Sequence, residues 1–252
     1  MLKIRIIPTL LYKKPTLVKG IGFDSWRRVG SAMQAVKVYN LREVDELIFL
    51  DITATNENRH PDFELIDEIA DECFMPLTVG GGVQDVDDFQ KLLKVGADKV
   101  AINSIVFKDP EIITKASELF GSQCVVVSID YKCHSNGYYE VYSNSGKFNT
   151  GKNPVDYACE VEKLGAGEII LTSIERDGQM EGYDLSLTKA VQEAVNIPVI
   201  ISGGAGCYEH LHQALDICKV NAVAAASMFH FTEQTPLEAK QYLKQYQYPV
   251  RQ

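Results

Sequence analysis

Two glycine-rich segments at matching positions constrain the fold of this chain more than any other feature of its sequence. One spans residues 79–82 and the other spans residues 199–206, and each ends an apolar stretch. Ser104 and Ser227 each lie 24 positions after the first glycine of their segment. Glycines at the end of a strand let an anion approach the free backbone N–H groups of the next helix. Two copies in one register indicate a duplicated half-structure with two anion sites.

The rest of the chain alternates between predicted strands and predicted helices. Strands are predicted at residues 4–11, 46–52, 77–79, 99–102, 124–129, 168–172, the segment that ends at Gly203, and 222–226. Helices are predicted at residues 32–39, 62–72, 86–95, 110–119, 155–164, 186–194, 209–217 and 236–245. This alternation predicts an α/β fold, a (β/α)8 TIM barrel with a two-fold half-barrel pseudo-repeat, formed by a single domain over residues 1–252. Functional residues of such a barrel lie at the C-terminal ends of its strands.

Four segments lie outside this alternation. Residues 12–30 are rich in Lys, Pro and Gly and predict a long loop. Residues 138–148 alternate in polarity around Asn-Ser-Gly and predict an inserted β-hairpin. We expect residues 227–231 to form a short turn and residues 246–252 to form an additional surface segment.

The composition argues against several classes of function. A net charge of −9 is unfavourable for a surface that binds duplex nucleic acid, so no nucleic-acid partner is expected. The six cysteines include no Cys-X-X-Cys pair, which indicates reduced thiols and a cytoplasmic location. No segment resembles a signal peptide or reaches the roughly 18 apolar residues of a membrane span. The histidines show no metal-like spacing, so we expect neither a metal nor another cofactor.

Polar residues at the predicted strand ends are the candidates for chemistry: Asp51, Asn103, Asp130, Thr172, Ser202 and Ser227. Asp130 follows an apolar run, and burial of an unpaired carboxylate is unfavourable. It therefore indicates general acid or base work on a ligand, with a hydrogen-bonded structural aspartate as the alternative. Asp177 either orients a ligand or makes a turn. Lys19 either closes over an anion or is an ordinary exposed lysine.

Charged residues also open four of the predicted strands, at the opposite end of the barrel. They are Arg5, Glu46, Lys99 and Glu168. Two readings remain open: ordinary ion pairs that cap the barrel floor, or a gated polar opening through it.

Several motifs, taken as a set, resemble a known family. They lie at residues 79–82, 98–100, 121–123, 165–169, 172–178, 202–206 and 229–231. They resemble the cyclase subunit of imidazole glycerol phosphate synthase, the HisF family, over almost the whole chain. The resemblance implies a barrel that forms a heterodimer with a HisH-type glutaminase docked on its floor. It also implies that ammonia crosses the barrel to a ligand with two phosphates, giving imidazole glycerol phosphate and aminoimidazole carboxamide ribotide in histidine biosynthesis.

The resemblance also implies roles for individual residues. Asp130 matches one of the family's two catalytic aspartates, and Asp177, Thr172, Lys19 and Asp51 match further active-site positions. Gly82, Asn103 and Ser104 match one phosphate site, and Gly178, Gly204, Ala226 and Ser227 match the other. Arg5, Glu46, Lys99 and Glu168 match the charged ammonia gate, and Asp98 matches a glutaminase-docking position.

One position departs from the family pattern. Leu11 ends the first strand where the family has its other catalytic aspartate, and leucine cannot transfer a proton. The resemblance of residues 10–12 and 61–66 extends further, to a paralogous branch linked to acetamidino modification of surface sugars. In that branch the barrel and its glutaminase are thought to supply ammonia to a separate sugar amidotransferase.

Three functional hypotheses follow. The chain is an ammonia-delivering subunit whose cyclase chemistry has faded, a working cyclase in which another residue replaces the lost acid, or a related phosphosugar isomerase barrel. Leu11 favours delivery, whereas Asp130 and the two glycine loops favour retained chemistry. The floor charges and the segment at residues 121–123 argue against the isomerase.

Overall fold

Strands and helices alternate through residues 3–251, which are the residues described by the computed structural model of this chain. The strands are β1 (Arg5–Lys13), β2 (Thr16–Ile21), β3 (Asp24–Gly30), β4 (Leu47–Asp51), β5 (Leu77–Gly80), β6 (Lys99–Ile102), β7 (Val125–Cys133), β8 (Tyr139–Ser143), β9 (Phe148–Asn149), β10 (Glu168–Ser173), β11 (Val199–Ser202) and β12 (Ala222–Ala225). The α-helices are α1 (Ala32–Leu41), α2 (Phe63–Asp71), α3 (Val86–Lys94), α4 (Glu111–Phe120), α5 (Pro154–Leu164), α6 (Leu185–Ala194), α7 (Tyr208–Cys218), α8 (Ser227–Phe231) and α9 (Pro236–Gln245). Within these residues, no helix is both long enough and apolar enough to cross a membrane.

Eight of the strands form a closed parallel barrel. Their order around the ring is β1, β4, β5, β6, β7, β10, β11 and β12, and β12 pairs with β1 to close it. Parallel strands that are buried on both faces carry near-continuous apolar sequences, as the start of β7 does. The predicted (β/α)8 barrel is therefore confirmed.

The barrel has two apolar layers because side chains alternate along each strand. One layer fills the barrel interior with small and branched side chains, namely Ile7, Ile48, Ala101, Val126, Ile170, Ile200, Ala222 and Ala224. The other, larger layer lies between the strands and the surrounding helices. The interior is packed, so polar side chains inside the ring are confined to its two ends, which we call the mouth (C-terminal strand ends) and the floor (N-terminal strand ends).

Residues 12–30 correct the sequence prediction, because they form a β-hairpin and not a loop. β1 continues beyond the barrel and pairs antiparallel with β2, which pairs with β3. The Lys, Pro and Gly content of this segment suggested a loop, but Leu17 and Val18 are buried against the barrel. Burial of apolar side chains along an extended segment stabilises a strand despite such breakers.

β7 has the same extension in the second half of the barrel. It continues to Cys133 and pairs antiparallel with β8, which pairs with β9. The predicted hairpin at residues 138–148 is thus confirmed. The two insertions follow strands that lie opposite each other in the ring, which supports the half-barrel repeat.

The chain end and the last helix fasten the barrel's first strand. Ile4 N–H donates to the carbonyl of Pro249, so part of the predicted surface tail, of which residue 252 lies outside the described residues, joins the sheet. Residues 227–231, predicted as a turn, form the short helix α8. In α9 the buried Lys240 lies 2.9 Å from the buried carboxylate of Asp45, which also accepts from Ile6 N–H.

Candidate active site

One cavity at the mouth brings together the predicted mouth residues. It is lined by Leu11, Lys19, Asp51, Gly82, Asn103, Ser104, Asp130, Thr172, Asp177, Gly178, Gly204, Ala226 and Ser227, together with residues that the sequence analysis did not identify. The floor residues and Asp98 lie elsewhere. C-terminal strand ends converge here because all eight strands run parallel, as in other barrels of this type.

The pKa of the Asp130 carboxyl is strongly raised, to about 7. Burial is the main cause and the nearby Asp177 adds to it, while hydrogen bonds from Ser128 and Asn103 oppose the shift. Asn103 Nδ2 lies 2.8 Å from Oδ2, and Ser128 Oγ lies 3.2 Å from Oδ1. A carboxyl with this pKa can both donate and accept a proton near neutral pH.

The raised pKa of Asp130 predicts a pH-dependent effect of Asp130→Asn on stability. In the unfolded chain an aspartate has a pKa of about 3.9, so the folded protein holds an extra proton between about pH 4 and pH 7. This contribution to stability is lost as pH rises through the folded pKa, because the carboxylate must then ionise in the cavity. Asn removes that ionisation. Urea unfolding should show a stabilisation by Asn that is about 2.6 kcal/mol larger at pH 8 than at pH 5; equal effects at both pH values would contradict the raised pKa.

Leu11 lies across the mouth from Asp130. β1 and β7 are separated by three strands on either side of the ring, and both residues line the cavity. Leu11 is in register with Leu50, which also lines the cavity, so this wall is apolar. The two halves therefore place one carboxyl and one aliphatic side chain at equivalent positions.

Lys19 and Asp177 form a buried ion pair that joins the β2–β3 hairpin to the loop after β10. Lys19 is 2% exposed, and its Nζ lies 2.6 Å from Asp177 Oδ2. Burial raises the pKa of Asp177, although Lys19 opposes this shift. Gly22 N–H also donates to the Asp177 carbonyl at 2.8 Å. Lys19 is thus neither exposed nor free, and the hairpin closes one side of the mouth.

The first glycine loop is held in a conformation that requires glycine. Gly82 has a φ of +80°, and a Cβ there would lie 2.7 Å from the Ala54 side chain, so only glycine fits. Ser104, which begins a 3-10 turn, accepts a hydrogen bond from Asn144 N–H at 2.9 Å. The Asn103 Oδ1 atom is buried and has no partner among the described residues.

The second glycine loop lies beside the β2–β3 hairpin. Gly178 has a φ of +82°, and a Cβ there would lie 2.2 Å from the Gly20 carbonyl oxygen. Gly204, Ala226 and Ser227 complete this side, where Ser227 Oγ is buried with no partner among residues 3–251. Ser227 is the first residue of the short helix α8, which begins directly after Ala226.

Asp51 and Thr172 have different surroundings in the cavity wall. Asp51 Oδ1 accepts from the N–H groups of Thr53 and Ala54 at 3.0 Å, and Oδ2 lies 3.0 Å from Arg59 Nη2. Its carboxylate therefore already holds the loop after β4. Thr172 is in register with Asp130 on the neighbouring strand, close enough to contact the same ligand.

The floor residues form a closed ring of ion pairs. Arg5 bridges Glu46, at 2.7 Å, and Glu168. Lys99 Nζ bridges the same two carboxylates, at 2.9 Å and 2.7 Å. Burial opposes ionisation of Glu46, yet Lys99 and Arg5 lower the pKa of its carboxyl. Asp98 lies nearby on the outside and accepts from Leu77 N–H.

Sequence reasoning missed four hydroxyls in the cavity, and two of them, Thr9 and Ser128, lie on barrel strands, whereas Thr55 and Ser145 lie in loops. Thr9 Oγ1 is buried with no partner in the described part of the chain. Thr9 lies two positions before Leu11, and Ser128 lies two positions before Asp130. Residues two positions apart on a strand point to the same face, so this periodicity would have identified both. His230 packs against Tyr39 and Phe231, and burial lowers its pKa to about 4. Residues 3–251 contain no group of three metal-ligating side chains.

Comparison with known proteins agrees with this architecture. The sequence profile of the family described as "Histidine biosynthesis protein" matches residues 5–235. The chain is 46% identical to the imidazole glycerol phosphate synthase subunit HisF of Trichormus variabilis, over 100% of this chain and 99% of that protein. It is 45% identical to the subunit of the same name from Clostridium botulinum, over 98% of each chain. The chain therefore belongs to the HisF family of imidazole glycerol phosphate synthase subunits, an enzyme family.

Proposed function

We propose that this chain is a HisF-type synthase subunit that receives ammonia from a HisH-type glutaminase and serves a sugar amidation pathway, the formation of an acetamidino group. The observation that carries the proposal is Leu11, an aliphatic side chain in the mouth opposite Asp130. Cyclisation needs proton transfer on both sides of the ligand, and Leu11 can make none. Loss of one general acid or base lowers a rate by about 10²–10⁴-fold.

The ammonia route would run from floor to mouth through the barrel. The ring of Arg5, Glu46, Lys99 and Glu168 would act as its gate. Ammonia would then cross the packed apolar layer, whose smallest side chains are Ala101, Ala222 and Ala224. A closed ring of ion pairs excludes bulk water, which would otherwise convert ammonia to ammonium. In this scheme ammonia remains neutral until it reaches the acceptor.

The glutaminase would dock around the floor ring. Exposed apolar side chains lie at the helix ends that surround it, with Leu41 and Phe74 both 85% exposed. Asp98 is exposed beside the ring. Apolar side chains with a polar rim are the usual composition of a protein interface.

The mouth would retain a phosphorylated ligand. Gly82, Asn103 and Ser104 would bind one phosphate, and Gly178, Gly204, Ala226 and Ser227 the other, mainly through backbone N–H groups. Asp130 would transfer protons, and Thr172 would orient the ligand. The Lys19–Asp177 pair would hold the hairpin closed over it, and Asp51 would fix the loop after β4.

The second candidate function is an active cyclase that forms imidazole glycerol phosphate and aminoimidazole carboxamide ribotide in histidine biosynthesis. Asp130 favours it, because a carboxyl with a pKa of about 7 is suited to general acid–base work. Both glycine loops also favour it, because a pure conduit needs no phosphate sites.

Reconstitution separates the two functions. The purified chain is mixed with its HisH-type glutaminase, glutamine, ATP and the sugar amidotransferase of the same organism with its sugar acceptor. We expect glutamine-dependent amidated sugar, together with faster glutamine hydrolysis by the glutaminase when this chain is present. The control omits this chain. Absence of amidated sugar, with imidazole glycerol phosphate formed from the family's ribonucleotide substrate, would favour the cyclase.

A further inference from the structure

The two hairpin insertions meet above the mouth and form one surface. The ring of Phe23, at the tip of the β2–β3 hairpin, lies beside Gly146, at the tip of the β8–β9 hairpin, because a Cβ there would lie 3.2 Å from Phe23 Cδ2. Ser145 Oγ also donates to the Ile52 carbonyl at 3.0 Å. We call the exposed face of residues 13–30 and 131–152 the rim surface.

The rim surface is basic, although the chain has a net charge of −9. Its seven basic and two acidic residues are Lys13, Lys14, Arg27, Arg28, Lys132, Lys147, Lys152, Asp24 and Glu140, because Lys19 of the same segment is buried. Within the described chain, Lys13, Arg27, Arg28 and Lys147 are exposed and have no carboxylate within 4.0 Å. These four cations are therefore available to an external anion.

The same surface exposes large apolar side chains. Ile21 is 43% exposed, Tyr138 is 45% exposed and Phe148 is 60% exposed. Ile21 and Phe148 each lie two residues from the Phe23–Gly146 contact. An apolar centre with charged residues around it is the composition of a protein interface, whereas steering of a small anion into the mouth would need the charges alone.

Ammonia delivery supplies a physical reason for an interface here. Ammonia released from the mouth into neutral water takes up a proton, and ammonium has no lone pair for nucleophilic attack. A delivering barrel is therefore effective only if the acceptor enzyme seals its mouth.

We propose that the rim surface is the docking site for the acidic face of the acceptor enzyme, the sugar amidotransferase, which closes the mouth while ammonia passes. This inference rests on the proposed function. It places the glutaminase and the acceptor enzyme at opposite ends of one barrel, so both bind at the same time.

The test compares two double charge reversals in the full chain, bound to the glutaminase. Arg27→Glu/Arg28→Glu changes the rim surface. Lys115→Glu/Lys189→Glu changes the net charge equally at exposed mid-helix positions of α4 and α6. Binding of the purified amidotransferase is measured by sedimentation velocity, and amidated sugar per glutamate released is measured in the reconstituted mixture.

We expect the rim variant to raise the Kd for the amidotransferase at least tenfold, with a lower yield of amidated sugar per glutamate and unchanged glutamine hydrolysis. The control variant should match the unmodified chain. Equal Kd values for both variants would overturn the docking site, even if the unmodified mixture amidates sugar. The docking site would also be overturned by a rim variant that no longer binds inorganic pyrophosphate but still binds the amidotransferase. Failure of the unmodified mixture to amidate sugar would instead refute the proposed function.

Discussion

With ammonium supplied directly, this chain is expected to turn over the HisF family's ribonucleotide substrate with a kcat/KM about 10²–10⁴-fold below that of the Trichormus variabilis HisF subunit assayed in parallel. The deficit corresponds to about 3–5 kcal/mol of activation free energy. Its cause is Leu11, because, of the two residues that face each other across the mouth, only Asp130 can then transfer a proton. Direct ammonium removes any contribution from the glutaminase or from the passage of ammonia.

Two variants accompany this measurement. Asp130→Asn should abolish whatever turnover the unmodified chain retains, because neither of these two facing positions then carries a carboxyl group. Leu11→Asp should recover activity to the extent that the hairpin after β1 admits the ligand. A kcat/KM comparable to that of the Trichormus variabilis subunit would show that Leu11 is not limiting, and the cyclase function would then take precedence.

Lys240→Met is expected to destabilise the protein by about 3–5 kcal/mol. The substitution keeps the length and burial of the side chain but removes the ammonium group that lies 2.9 Å from Asp45. Asp45 is 2% exposed, so its carboxylate would be left in the interior with no compensating charge. Urea unfolding followed by circular dichroism measures the loss.

Two further variants make this result specific. Lys115 pairs with Asp109 and Glu111 on the exposed face of α4, and Lys115→Met should change stability by less than about 1 kcal/mol. Lys240→Met combined with Asp45→Asn should recover much of the loss, because the amide oxygen can still accept from Ile6 N–H. A Lys240→Met variant as stable as Lys115→Met would contradict the stabilising role of the Lys240–Asp45 pair.

The fold was accessible from sequence because its signals are periodic and repeated. Apolar strand sequences alternate with amphipathic helices, and glycine pairs end two strands in the same register. The hairpin at residues 12–30 was not accessible, because Leu17 and Val18 gain their burial from barrel residues far away in sequence. A local pattern records turn formers, but it does not record which distant surface a segment will cover.

The residues of the mouth also fall into two groups, those that the sequence could place there and those that it could not. Residues that follow strands, such as Asp130 and Thr172, could be placed in it from strand order alone. The Lys19–Asp177 contact could not, because it joins positions 158 residues apart through a hairpin that the sequence did not predict. Thr9 was missed although its strand was identified, because it lies inside the strand and the candidates were the polar residues that end strands.

The floor ring has a mechanical consequence. Each cation touches both carboxylates, so swinging either one aside breaks two contacts simultaneously, while the other cation still holds the carboxylates in place. If ammonia crosses the floor as proposed, such an aperture would have two discrete states, shut or opened by the departure of a single side chain. Its opening would be a thermally activated event, and we expect the frequency of that event to rise steeply on warming without any rearrangement of the strands.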